Sequence, residues 1–188
     1  MAAGAAAMET GAAAAAGAAF SLTMHFKIGD WVVHPLHGIG QVVKLDRKDF
    51  GSSPGQLYYE IAISQGTLWV MAETPPEGLR EITPRGDLPQ YRAVLQSAPT
   101  LLTKDYHQRR WELRERLKDG TFQARCEVVR DLTALGWQKR LSEPDAMLLR
   151  STREGLCLEW AEVEAVTVVQ ATQEVEDLLR AAKLKYLK

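Results

Sequence analysis

Two histidines stand three residues apart in His34-Pro35-Leu36-His37, close enough for both imidazoles to reach one metal ion. Protein zinc sites take at least three protein ligands. With no other His, Cys or acid cluster beside this pair, no metal is expected. The segment reads as a strand corner with both histidines in a solvent-facing turn. Pro35 fixes φ and removes a ladder donor, and Gly38 and Gly40 permit positive φ before Val42 resumes an extended run. Cys126 and Cys157 are isolated thiols in helix-like stretches, too few for a disulfide framework, and are read as free and at least half-buried in a reducing compartment. The other stretch able to do chemistry is "KDYHQRRWELRER", Lys104 to Arg116. Helical spacing puts Tyr106, Arg109, Arg110 and Leu113 on one side, where an aromatic could stack on an unpaired base while cations hold phosphates. The same residues could form a solvated basic face braced by pairs such as Glu112 with Arg116. The chain shows no Gly-rich phosphate loop, no nucleophile elbow and no paired carboxylates in a perturbing setting, so neither an enzyme nor a cofactor is expected.

These residues are carried by two textures. From Phe26 to about Ile82, short apolar runs alternate with turn residues ("DWVVHP", "GIGQVVKL", "LYYEIAI", "TLWVMA"). Hairpin reversals are expected at Gly51–Gly55 and Ser64–Thr67. Four or five strands in so short a span predict a small, strongly bent antiparallel barrel of SH3 or Tudor type, which "TPPEG" at 74–78 stops. Beyond "ITPRGDLPQ" the period changes to about 3.6, predicting helices near 88–96, 104–118, 121–135, 143–165 and 168–183. Gly120 and Gly136 end helices, and Ser142 caps the next. The fold class expected is α+β: a β-barrel domain over 24–84, then an all-α bundle over 85–188.

The chain has 188 residues, 46% apolar and 25% charged, with a net charge of −1. Those values exclude general disorder and a fibrous architecture, and any nucleic-acid contact must use a local basic patch. Residues 1–23 are mostly alanine and glycine and are expected to form a disordered leader without a core of its own, with Met24 as an alternative start. They lack the basic residues of a signal or transit peptide, and no run elsewhere approaches a membrane span.

"FKIGDWVVHPLHGIGQVV", with "YYEIAISQGTLWVMAETPPEGLREI" after it, strongly resembles the RNA-polymerase-interacting domain of the bacterial CarD/CdnL transcription regulators. "LKDGTFQARCEVVRDL" resembles that family's helical DNA-binding domain. A related module opens part of the transcription-repair coupling factors, but no helicase motifs follow here. The resemblance implies that an edge strand, here Thr67 to Ala72, pairs with the polymerase β subunit. Contacts would come from Lys48, Thr67, Trp69, Val70 and Met71. Met71 stands where relatives place an arginine, and strand alternation leaves Trp69 and Met71 open between partner contact and barrel core. In the helical domain it implies promoter contact at the upstream edge of the bubble through Tyr106, Arg109, Arg110 and Arg114. Tyr106 occupies the place of the aromatic wedge, with Trp111 the wedge in an alternative alignment, and Ala146 stands where relatives often carry a cation. The expected protein is a monomeric, cytoplasmic regulator, nucleoid-associated through polymerase. The rival expectation is a protein-interaction module that binds polymerase or another partner without touching DNA.

Overall fold

The computed structural model describes residues 25–50 and 53–186; the expected leader, 1–23, lies outside the described residues. Five strands come first: β1 (Trp31–His34), β2 (Gly38–Phe50), β3 (Ser53–Ile63), β4 (Gly66–Met71) and β5 (Arg80–Glu81). They form one antiparallel sheet in the order β4-β3-β2-β1-β5. Its ladder ends at β4 on one side and β5 on the other. The first four strands fall on the four apolar runs, but "TPPEG" at 74–78 does not stop the sheet: the chain returns at β5, where Arg80 and Glu81 pair with Val33 and Val32, so what forms is a five-stranded sheet with two edge strands.

Alternation decides what this sheet buries. Val32, Val42, Tyr59, Ile61, Val70 and Ala72 point to one side and close a core with Phe26, whose ring meets Tyr59 edge-on at 5.6 Å. The Tyr59 hydroxyl accepts the Phe26 amide at 3.1 Å, so its polar end is satisfied. Two glycines are required by geometry. Gly38 has φ 74° at the β1–β2 turn, where a side chain is disfavoured. At Gly40 a Cβ would lie 2.6 Å from Ile61 Cγ2 and 2.8 Å from the Ala62 carbonyl, so only glycine lets β2 and β3 approach.

The helical half opens with a 3₁₀ turn at Arg85–Asp87, followed by α1 (Leu88–Gln96), α2 (Tyr106–Lys118), α3 (Phe122–Gln138), α4 (Glu143–Glu164) and α5 (Val168–Tyr186). Three starts are capped by side chains. Asp105 accepts the Gln108 amide, Thr121 the Ala124 amide and Ser142 the Asp145 amide, each satisfying a donor the helix leaves unpaired. Leu95, Phe122, Val129, Leu156, Trp160, Val175 and Leu179 anchor the main core, while Leu113, Val128 and Leu132 form a smaller one under α2. α3 does not stop at Gly136 as expected. It runs on to Gln138, because Gly136 sits against Leu141 and Trp137 continues the packed face. α4 ends at Ala165 in the left-handed region, φ 57°, with the Val166 amide reaching back to the Ala161 carbonyl, the bond pattern of a Schellman stop.

Candidate functional site

The first surface of interest is the open side of β4. The Ala72 amide donates to the Leu57 carbonyl at 2.9 Å, and with the β3–β4 register this fixes the alternation. Gly66, Leu68, Val70 and Ala72 turn their backbone groups toward β3, whereas Thr67 and Met71 turn theirs to the open edge. Side chains alternate with the same period. Val70 is buried with the sheet core. Trp69 and Met71, the two residues that alternation left open, stand on the outer face opposite Glu60 and Tyr58. Lys48 Nζ lies 4.5 Å from the centre of the Trp69 ring, a cation–π contact that brings the hairpin cation to the strand. On the same face Lys44 binds Asp46 at 2.6 Å, and this hydrogen bond holds the Asp46 carboxyl below its usual range. Of the five residues expected on this surface, Val70 is therefore corrected. Its side chain belongs to the core and its backbone to the β3 ladder, so it can offer a partner neither.

The second surface is α2, whose sequence carries almost no apolar stripe. Arg109 and Leu113 are its buried residues. Arg109 Nη2 meets Asp145 at 2.8 Å, with both side chains at most 5% exposed, and Nη1 donates to the carbonyls of Thr103 and Lys104. Arg109 is thus a structural residue that ties α2 to the start of α4, a correction to its expected phosphate contact. Tyr106 is half-buried, with its hydroxyl 3.4 Å from Arg110 Nη1 and His107 edge-on to its ring at 5.1 Å. The Glu112–Arg116 pair is not formed: Glu112 accepts from Thr103 and Gln108, and Arg116 reaches Asp131 at 3.0 Å.

What α2 does present outward is a stripe at helical spacing: His107, Arg110, Trp111, Arg114 and Lys118 are all exposed. Trp111 leaves 63% of its surface in solvent, and Arg110 and Arg114 make no carboxylate contact among the described residues. Beside the two arginines a groove of about 300 Å³ runs between α2 and α4, lined by Pro144, Met147 and Leu148. Ala146 faces elsewhere, into an apolar groove with Leu149, Cys157 and Val168.

The remaining candidates are structural. His34 is buried, not solvent-facing, while His37 is exposed. His34 Nδ1 accepts the amides of Leu36 and His37 at 3.1 and 3.2 Å, so in the neutral ring Nε2 carries the proton. Burial, with His37 nearby, pushes the His34 pKa below the ordinary 6.5. The unfolded chain then takes up this proton first. His34 contributes stability that is complete above about pH 6.5 and lost as pH falls toward the folded-state value. We expect stability to fall below that pH by at most about 1.4 kcal/mol per pH unit, the limit for one proton. His34→Asn, which keeps an acceptor for both amides, should flatten this part of the profile in urea titrations at stepped pH, and an unchanged slope would refute the assignment. Burial also raises both thiol pKa values, which leaves Cys126 and Cys157 unreactive. Among the described residues no group of three or more His, Cys, Asp or Glu could hold a metal ion, and no helix is long and apolar enough to cross a membrane.

Sequence reasoning missed Asp145 and Glu159, both buried carboxylates. Glu159 falls three residues after Leu156 on the apolar face of α4, and a carboxylate inside an apolar stripe was the available signal.

The chain thus joins a sheet whose β4 edge is open for main-chain pairing to a helical bundle whose outer helix mixes cations with an indole, the layout of a two-domain protein with two candidate binding surfaces. Comparison with known proteins places that class. Residues 26–82 match the CarD-like/TRCF RID domain and residues 91–176 the CarD C-terminal domain. The chain belongs to the CarD/CdnL family of transcription regulators, whose members are not enzymes and whose domains interact with RNA polymerase. It is similar to YdeB of Bacillus subtilis (strain 168), a candidate transcription factor, with 28% identity over 148 residues, spanning 77% of this chain and 96% of that protein.

Proposed function

We propose that this protein stabilises the open promoter complex by holding RNA polymerase with one half and the upstream edge of the melted bubble with the other. Residues 24–84 act as the polymerase-binding half. β4 adds its open edge to a strand of the β subunit, so that the backbones of Thr67 and Met71 bond it while Lys48, Trp69 and Met71 select it. Residues 85–188 act as the DNA-contacting half. Arg110 and Arg114 hold phosphates, and Trp111 stacks at the junction between duplex and melted strands. Trp111 takes the wedge role in place of Tyr106, whose half-buried ring is held by its neighbours. The protein works as a monomer in the cytoplasm, brought to the nucleoid by polymerase. A factor that binds the melted complex better than the closed one shifts the equilibrium by that differential affinity.

The observation that carries this reading is the exposed indole between two exposed arginines that have no carboxylate partner among the described residues. Its test is open-complex lifetime on a promoter that melts reluctantly. Trp111→Ala should leave polymerase binding unchanged and weaken the stabilisation by about 1–3 kcal/mol, the scale of one base-stacking aromatic. Tyr106→Ala should do much less. Arg110→Ala or Arg114→Ala should each flatten the dependence on log salt by about one phosphate contact. Wild-type lifetimes from all four variants, with polymerase binding intact, would make the protein an interaction module without DNA contact.

A further inference from the structure

The sheet has two edges with different fates. β4 is open, while β5 carries Arg80, whose guanidinium leaves the sheet and enters the helical half. Nη1 and Nη2 bond the two carboxylate oxygens of Glu159 on α4 at 2.7 and 2.8 Å, and Nε donates to the Gly120 carbonyl at 2.9 Å. Gly120 is the turn between α2 and α3, so one side chain grips both α4 and the end of the helix that displays Trp111. Glu159 is fully buried and saturated. Oε1 also accepts from the Thr83 amide and hydroxyl at 3.1 and 2.8 Å, and Oε2 from Arg125 at 3.2 Å. Arg80 is meanwhile set in the sheet by the pairing of Val33 with its backbone.

We infer that Arg80 and Glu159 are positioning residues, a latch between the halves that sets the α2 face at a fixed place relative to the β4 edge. This inference rests on the two-contact reading above. A buried ion pair is a poor source of net stability, since apolar groups of the same volume often serve as well, and its best-attested use is to specify one arrangement among several. Here the forked geometry selects a direction as well as a distance, because a guanidinium satisfies both carboxylate oxygens in one orientation. Only Ile82, Thr83 and Pro84 separate β5 from the first helical turn. Ile82 is held to the sheet through the Trp31 carbonyl and Thr83 to Glu159 itself, so the short linker limits the halves and the forked pair selects the one arrangement. With the arrangement fixed, docking on polymerase presents Trp111 at high effective concentration to one point on the DNA.

The test uses the full chain with nitroxides on cysteines introduced at Val43 and Glu115, both exposed, the native thiols being buried. Wild type should give one narrow distance distribution by pulsed electron resonance. Arg80→Gln leaves Glu159 with Arg125 and Thr83, and should broaden the distribution while thermal unfolding remains cooperative. It should keep polymerase affinity within about twofold and shorten open-complex lifetime roughly tenfold, as expected when a second contact loses its fixed placement. Arg80→Lys, a cation without the fork, should fall between. Glu159→Gln should behave like Arg80→Gln if it folds, and if it does not, the two arginine variants decide. A narrow distribution with wild-type lifetime in Arg80→Gln would overturn the inference, as would a parallel loss of polymerase affinity, which would make the pair a prop for the sheet. The distance measurement needs neither polymerase nor DNA. A silent Trp111→Ala would therefore remove the DNA-contact reading and leave the latch to be judged by the distances.

Discussion

Met71→Pro should abolish binding to RNA polymerase and leave both cores folded. The alternation set by the Ala72–Leu57 bond turns the Met71 amide away from β3, so proline there deletes no bond within the sheet. Val70 before it is extended in the strand, the conformation that a residue preceding proline prefers. What proline removes is a donor on the docking edge, and its ring blocks the approach of an incoming strand. Val70→Pro is the control: its amide faces Tyr59 in the ladder and its side chain fills the core, so this variant should unfold the sheet. Circular dichroism and immobilised-polymerase binding together separate the two outcomes. If Met71→Pro binds polymerase as wild type does, β4 is not the docking edge.

Arg109→Ala should destabilise the helical half by about 3–5 kcal/mol, the usual cost of stranding one member of a buried ion pair. Asp145 would keep the Ser142 hydroxyl at 2.8 Å but lose its only charged partner among the described residues. Because α2 has little apolar surface of its own, it would lose its tie to α4. Replacing Arg109 with methionine and Asp145 with leucine together should recover most of the loss, since the site then holds no charge. Urea unfolding of the two variants measures this. The distinction matters for any survey of DNA contacts, because Arg109→Ala would shorten open-complex lifetime by loosening the helix. A fully stable Arg109→Ala with a shortened lifetime would return Arg109 to the DNA surface.

The strands and helices were legible because periods of two and 3.6 persist over long runs and the caps obey simple chemistry. Asp105, Thr121 and Ser142 announce three helix starts in residues anyone can read. The α2 surface was less legible for a definite reason. Grouping Tyr106, Arg109, Arg110 and Leu113 on one side was sound geometry, but Leu113 is the residue that faces the core, and Arg109 goes inward with it. Spacing along α2 assigns Arg109 to phosphates because its actual partner, Asp145, lies 36 residues away, beyond the reach of any local pattern. Val70 misled in the opposite direction: the edge strand was recognised, but which of its faces looks outward depends on register, which no single strand encodes. His34 was read from its turn, and turns do not reveal that a ring nitrogen folds back to serve two amides.

The distance along the chain between Arg80 and Glu159 has a consequence in time. Glu159 is 79 residues downstream, and at synthesis rates of about 5–20 residues per second it leaves the ribosome roughly 4–16 s after Arg80. Hairpins form in microseconds, so the sheet and its β4 edge can be complete while most of the helical half is still untranslated. During that interval the nascent chain already displays the open β4 edge, the surface proposed to take up a partner strand, with Arg80 in water. The edge is ready for an early encounter, while the helical half waits for Glu159 and for α5, which is translated after it.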